Sequence, residues 1–293
     1  MGLNLIVLVK QVPDTQNITG EAMKEDGTVN RAALPAIFNP DDLHALEAAL
    51  EVKETIPGTK VNVLTMGPPS AVQVLKDSLY RGADFTALIS DRKFAGADTL
   101  ATSYALKCAI EKIGAYDLVF CGRQAIDGDT AQVGPQTAEK LGINQITNVS
   151  MIESIDPKKK EVVARRSIEG GFEIVKSGFP VLVTINDEEY IPRPPSVIRM
   201  MTYKNASVEG NGGTYDESYM NSAQVKRNQD VISLWDIATI NADVESCGLS
   251  GSPTKVKKIE SVILKSEDIK MIENTGDAIA QMVHELIADH TLG

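Results

Sequence analysis

Residues 117–137 read DLVFCGRQAIDGDTAQVGPQT. The first six form an apolar strand, and the remainder is a loop rich in Gly and Asp that opens into a helix at Thr130. A strand that ends in a small-residue loop and then a helix start brings free backbone N–H groups to one point, where the helix dipole also favours an anion. The stretch therefore reads as a phosphate seat. Its candidate cofactor-binding residues are Cys121, Gly122, Arg123, Gln124, Asp127, Gly128, Thr130, Ala131, Gln132, Val133, Gly134, Gln136 and Thr137. The glycines at 122, 128 and 134 suit close backbone approach. The absence of Gly-x-Gly-x-x-Gly disfavours a Rossmann dinucleotide site, and the absence of Gly-Lys-Ser or Gly-Lys-Thr disfavours nucleotide hydrolysis. The seat holds a nucleotide moiety without visible machinery to cut it.

The same strand-then-helix rhythm extends upstream. Residues 3–9 are a continuous apolar, β-branched run, as expected of a parallel strand buried on both faces. Asn39 or Asp41 caps a helix over 42–54, with Pro40 and acidic residues in its first turn. Residues 61–66, 87–90 and 118–121 are further strands, each followed by a helix, and Asp98-Thr99 caps the helix that reaches Ile113. This alternation predicts a doubly wound, mainly parallel α/β sheet with right-handed crossovers and ligands beyond the strand C-termini. From residue 148 the rhythm changes: 149–155, 161–166, 172–176 and 180–186 are short strands separated by turn signals, which predicts an antiparallel hairpin extension. Residues 205–223 are polar and read as an arm or loop, residues 256–264 as a strand, and 266–288 as a terminal helix. That helix carries Ile269, Ile272, Ile279, Met282, Val283 and Leu286 on one side and needs a partner surface. The chain thus divides into a nucleotide-binding α/β domain over 1–200 and an extended arm with a C-terminal helix over 201–293.

Composition narrows the function. A formal charge of −11 and a pI near 4.9 argue against nucleic acid or an anionic membrane as partner. No apolar run approaches the ~20 residues of a membrane span, and the default compartment is cytoplasmic. Cys108, Cys121 and Cys247 form no metal-site spacing, and His44, His284 and His290 are scattered. No nucleophile elbow or general-base pair is visible, so the chain is not catalytic by itself, and chemistry without side-chain actors points to a cofactor tuned by protein dipoles.

The segments VKQVPDT (9–15), NPDD (39–42), LTMGPP (64–69), GADTLAT (96–102) and CGRQAIDGDTAQVGPQ (121–136) together resemble the β subunit of electron transfer flavoproteins, and 164–186 is similar to that family's signature region. The resemblance covers residues 5–199 closely and the tail more loosely. It implies a heterodimer with an α subunit that carries its own FAD, and an adenine nucleotide at the sheet edge of the β subunit. The wording VPDT, GRQAIDGDT and GSPT looks like the electron-bifurcating group, in which that nucleotide is FAD reduced by NADH. In the alternative group it is a structural AMP. By resemblance, the loop 127–134 would hold the diphosphate. Leu8, Asn39, Asp42 and Met66 would surround the adenosine part, and Gly96, Asp98, Thr99, Thr102 and Arg123 would approach the rest of the flavin. A cation at Arg123 would stabilise negative charge on a reduced ring and so tune it, unless it pairs with Asp127 or Asp129. The partners implied are the α subunit, a flavin-dependent dehydrogenase of acyl-CoA or 2-hydroxyacid type, and ferredoxin or flavodoxin. Where the family's docking loop often presents Leu before Pro, this chain has Pro194 in Arg193-Pro194-Pro195-Ser196. A competing reading from another class is a universal-stress-type nucleotide-binding protein with no redox role.

Overall fold

A computed structural model describes residues 2–14, 34–208, 230–254 and 271–288. Its centre is strand β1 (Asn4–Leu8), in which Leu5, Ile6 and Val7 are wholly buried because both faces of the sheet are covered. Strands β4 (Lys60–Met66) and β5 (Phe85–Ile89) extend the sheet on one side of β1, and β6 (Leu118–Gly122) lies parallel to β1 on the other. The chain therefore reverses its direction of growth between β1 and β6. In an open α/β sheet the crevice beyond the strand ends at such a reversal is where ligands bind.

Helices α1 (Pro40–Thr55) and α2 (Val72–Arg81) cover one face through Leu46, Leu50 and Leu75. Helices α3 (Thr99–Ile113) and α4 (Val133–Leu141) cover the other through Leu106, Ala109 and Ala138. Each fully buried Leu or Ile adds roughly 1.5–3 kcal/mol relative to exposure, which is why the strands are continuous apolar runs.

Beyond β6 the structure corrects one expectation. Strands β7 (Asn144–Asp156), β8 (Glu161–Ile168) and β9 (Gly171–Gly178) do form an antiparallel meander. Strand β10 (Val181–Ile185), read as part of the hairpin series, instead inserts parallel between β6 and β7. All five of its residues are buried, a state open only to an interior strand.

The sheet also continues past residue 200. Strands β11 (Ser207–Val208) and β12 (Asp230–Trp235) join beside β5, giving the order β11-β12-β5-β4-β1-β6-β10-β7-β8-β9. A short antiparallel pair, β2 (Gln11–Pro13) with β3 (Ala36–Phe38), stands apart from this sheet. Trp235 packs on Phe85 with ring centroids 5.8 Å apart, so residues near 235 lie in the core and not in an arm. The expected strand at 256–264, and most of the 205–223 stretch, lie outside the described residues. The terminal helix, α6 (Gly276–Ala288), is preceded by non-helical residues 271–275, so Ile272 is not on its face, and residues 266–270 of the expected helix, Ile269 among them, lie outside the described residues. Ile279 and Val283 on α6 are exposed.

Between β10 and β11, Arg193 donates to both carboxylate oxygens of buried Glu47 on α1, at 3.0 and 2.8 Å, and also pairs with Glu54. This anchors the Arg193-Pro194-Pro195-Ser196 turn ahead of the short helix α5 (Val197–Tyr203), whose Ile198 and Met201 are exposed.

Candidate functional site

The crevice between β1 and β6 is closed at its base by the start of α1. Asp42 accepts from the backbone N–H of Gly122 at 2.9 Å and of Lys10 at 2.8 Å, so one carboxylate ties the ends of both strands. Burial pushes the Asp42 carboxyl up to about 7, against the lowering effect of its hydrogen bonds from Gly122, Asn39 and Lys10. Asn39 occupies the N-cap position of α1 but makes no side-chain cap bond. Its amide donates to Gln124 O at 2.8 Å and accepts from Ile126 N–H at 3.1 Å, so its capping capacity is used to hold the following loop. Asp41 accepts from Gln124 N–H at 3.3 Å, and burial raises its carboxyl more than these contacts lower it.

Gly122 and Gly134 are glycines for packing reasons. A Cβ on Gly122 would lie 2.6 Å from the Asp41 carbonyl carbon and from Asp42 Oδ1. One on Gly134 would lie 2.8 Å from Thr184 Cγ2 and 2.9 Å from Cys121 Sγ. The first lets α1 meet the end of β6, and the second lets α4 lie against the sheet. Gly128 has open space around its Cα.

The loop itself is shaped by two left-handed residues, Asp129 (φ 49°) and Ala131 (φ 52°), followed by Gln132 in the right-handed region. Left-handed turns delay the helix, so α4 begins at Val133 and not at the expected Thr130. Among the described residues, none of the N–H groups of Thr130, Ala131, Gln132, Val133 and Gly134 donates a hydrogen bond within the protein. Adjacent left- and right-handed residues turn successive N–H groups to one side, a concave nest suited to anion oxygens, and it sits on the N-terminus of α4. Residues 128–132 are exposed. Lys10 Nζ bonds both oxygens of Asp127, at 2.7 and 2.8 Å, and Gln124 donates to Asp129 at 3.1 Å, so both loop carboxylates are engaged by neighbours.

A second wall comes from α3. Asp98 caps it, accepting from Leu100 and Ala101 N–H at 3.0 Å each. Although burial acts to raise the Asp98 carboxyl, hydrogen bonds from Ala101, Thr254 and Leu100 outweigh it and hold it below its ordinary value. Thr99 Oγ1 donates to Gln132 Oε1 at 2.8 Å, and Gln136 donates back to Thr99 at 3.4 Å, so the first turns of α3 and α4 are joined by side chains.

The structure brings the predicted residues to one edge in two groups. Arg123, Gln124, Asp127, Gly128, Thr130, Ala131, Gln132, Val133, Asp98, Thr99, Thr102 and Gln136 are open or half-buried around the nest. Leu8, Asn39, Asp42, Cys121, Gly122, Gly134 and Thr137 are buried beneath it. Thr137 Oγ1 donates to Val133 O at 2.7 Å, within its own helix. Met66 borders a cavity of about 740 Å³ with Pro68, Pro69, Ser90 and Phe94, beyond the ends of β4 and β5. Gly96 (φ 72°) packs against Leu249. Arg123 is half-exposed and its Nε lies 3.7 Å from Asp41 Oδ2, so its ion partner is Asp41 and neither Asp127 nor Asp129. Sequence reasoning missed Lys10 as the partner of Asp127. Its only signal was a cation placed just past a buried strand. No group of His, Cys, Asp and Glu suited to a metal occurs among the described residues, and no described helix is long and apolar enough to cross a membrane.

Residues 26–209 match the model of the electron transfer flavoprotein domain. The chain is 40% identical over 288 residues to the electron transfer flavoprotein subunit beta of Clostridium acetobutylicum, covering 98% of this chain and 99% of that one. It is 41% identical over 254 residues to the caffeyl-CoA reductase-Etf complex subunit CarD of Acetobacterium woodii, covering 87% and 86%. It is 38% identical over 291 residues to protein FixA of Rhizobium meliloti, covering 98% and 90%.

Proposed function

The chain belongs to the electron transfer flavoprotein family as a beta-type subunit, and on that premise we propose that its nest holds the diphosphate of FAD in a heterodimer with an alpha subunit. The observation that carries this reading is the row of unbonded amides from Thr130 to Gly134, set at the sheet's point of reversal. The donor set fits the group. Backbone N–H groups and a helix N-terminus attract a diphosphate, while Lys10 neutralises Asp127 and removes a charge that would repel it.

When bound, FAD supplies hydride acceptance from NADH and the division of the electrons, one toward the alpha-subunit FAD and an associated dehydrogenase of acyl-CoA or 2-hydroxyacid type, the other toward ferredoxin or flavodoxin. This chain's residues bind and orient. Asn39 and Asp42 fix the loop to α1, and Thr99 and Gln132 fix α3 to α4. Arg123 adds a half-exposed cation at the mouth. Helix α6, whose Ile279 and Val283 are exposed, packs on the alpha subunit. The name of the Acetobacterium relative, a caffeyl-CoA reductase-Etf complex subunit, supports a partner of acyl-CoA type.

Flavin content of the purified heterodimer tests this directly. Two FAD per heterodimer are expected, and one FAD with one AMP would replace the bifurcating version by the AMP-holding carrier. A stable, colourless homodimer carrying ATP would replace both. A residue-level test follows from Arg123. Arg123→Ala is expected to slow NADH-dependent reduction by about tenfold or more, the scale of a lost interaction near 1.4 kcal/mol, while FAD affinity changes by less. Equal loss of rate and affinity would make Arg123 a binding residue only.

A further inference from the structure

The segment between β12 and residue 254 wraps the start of α3 more closely than a surface connection requires. Asp243 N–H donates to Tyr104 OH at 3.0 Å, and Cys247 is buried in the same apolar cluster as Cys108 of α3. Gly248, in the left-handed region at φ 54°, lies so near the 91–98 loop that a Cβ would stand 2.0 Å from Lys93 O. The segment then grips Asp98 from both sides. Ser252 Oγ accepts the Asp98 N–H at 2.8 Å while donating to Gly248 O at 2.6 Å. Thr254 donates to Asp98 Oδ2 through its N–H at 3.1 Å and its hydroxyl at 2.7 Å. The other carboxylate oxygen caps α3. Asp98 is therefore saturated: one oxygen serves the helix, the other the segment, and its N–H is fixed as well.

We infer that Ser252 and Thr254 are positioning residues for the nucleotide site, fixing the first turn of α3 through Asp98 so that Thr99 holds the Gln132 side chain beside the nest. The inference rests on the reading of that nest as a nucleotide seat. Its physical basis is an unbroken set of hydrogen bonds, Thr254 to Asp98, Asp98 to the α3 N-terminus, and Thr99 to Gln132, of which the first and last join groups far apart in sequence and the middle one is the local helix cap. Loosening the first link frees the helix turn that orients the last. Neither Ser252 nor Thr254 needs to touch the ligand.

The test uses the heterodimer as purified, stripped of beta-subunit nucleotide, with FAD as the titrant. Thr254→Val keeps side-chain volume and removes the hydroxyl donor to a carboxylate. FAD binding is expected to weaken about tenfold, and Thr254→Ser to stay within about twofold of wild type. Ser252→Ala, which removes the acceptor of the Asp98 N–H together with the donor to Gly248 O, shifts affinity in the same direction and provides a second variant should the first fold poorly. Because the effect passes through Gln132, Thr254→Val combined with Gln132→Met binds no more weakly than the weaker single variant. Wild-type affinity in both Thr254→Val and Ser252→Ala overturns the inference, as does simple additivity in the double variant. A wild-type complex that holds no adenine nucleotide in this subunit overturns the nucleotide reading, and the positioning role with it.

Discussion

Replacing Gly134 by Val will empty the beta-subunit nucleotide seat while the alpha-subunit flavin remains. The Cβ position at Gly134 is already within 2.9 Å of Thr184 Cγ2 and Cys121 Sγ, two buried side chains on adjacent strands of the sheet floor. Neither can swing away, because Thr184 Oγ1 accepts the N–H of Asn148 at 2.9 Å and Cys121 is packed between β1 and β10. Helix α4 must lift, and its first turn carries the free amides. Overpacking of this kind costs about 1–3 kcal/mol of stability. The effect on binding is larger, since a displacement of about 1 Å breaks the convergence of several donors at once and costs on the order of a hundredfold. Nucleotide analysis of the purified heterodimer reads the outcome, and full beta-subunit occupancy would show that the seat lies elsewhere. Thr130→Trp probes the same seat from its exposed rim, with the same loss of nucleotide and little change in stability, because Thr130 is exposed.

The second large effect concerns stability. Asp42→Ala leaves the N–H groups of Gly122 and Lys10 without their acceptor at the junction of β1, β6 and α1. Each unsatisfied buried donor costs about 1–3 kcal/mol, so a loss of roughly 2–6 kcal/mol is expected, visible as a lower denaturant midpoint with an unchanged slope. Asp42→Asn retains an acceptor and falls between the two. The pair also separates charge from shape. Burial raises the folded Asp42 carboxyl from 3.8 to about 7, so the folded protein binds this proton more tightly than the unfolded chain does. The stabilisation linked to that proton is fully present below about pH 4 and is lost as pH rises through 7. Wild-type stability therefore carries a downward component across this window that Asp42→Asn lacks. Parallel pH profiles for the two proteins would contradict the assignment.

How much of this was legible depended on whether a residue's role is set by its neighbours in the chain. The strand runs 3–9, 61–66 and 118–121, and the capped helix at Asp98, are local patterns, and each appears as read. Strand β10 misled because Phe179 and Pro180 leave only a tight connection from β9, the spacing of a hairpin. The better signal was its composition. VLVTI is apolar throughout and is buried throughout, whereas GFEIVKSG of β9 alternates and stays at the open edge. Strand β12 was obscured by its polar flanks, although the single Trp of the chain marks where it meets the core.

For the proposed nucleotide seat, the sequence alone supplied the pattern that suggested it: a Gly- and Asp-rich loop between a buried strand and a helix, lacking the signatures of dinucleotide or P-loop folds, with motifs of the electron transfer flavoprotein beta subunit. Backbone geometry follows from residues close in the chain, so such a loop can be read directly. Only the tertiary structure decided which charges face one another. Lys10 meets Asp127 across 117 positions, and Thr254 meets Asp98 across 156. Arg123 turns to Asp41 on α1 and not to the acids of its own loop. Side-chain partners at such separations are chosen by the packing of elements distant in the chain, β1, β6 and α1 for the first and last pairs and α3 with the segment after β12 for Thr254, and no local pattern of residues encodes them.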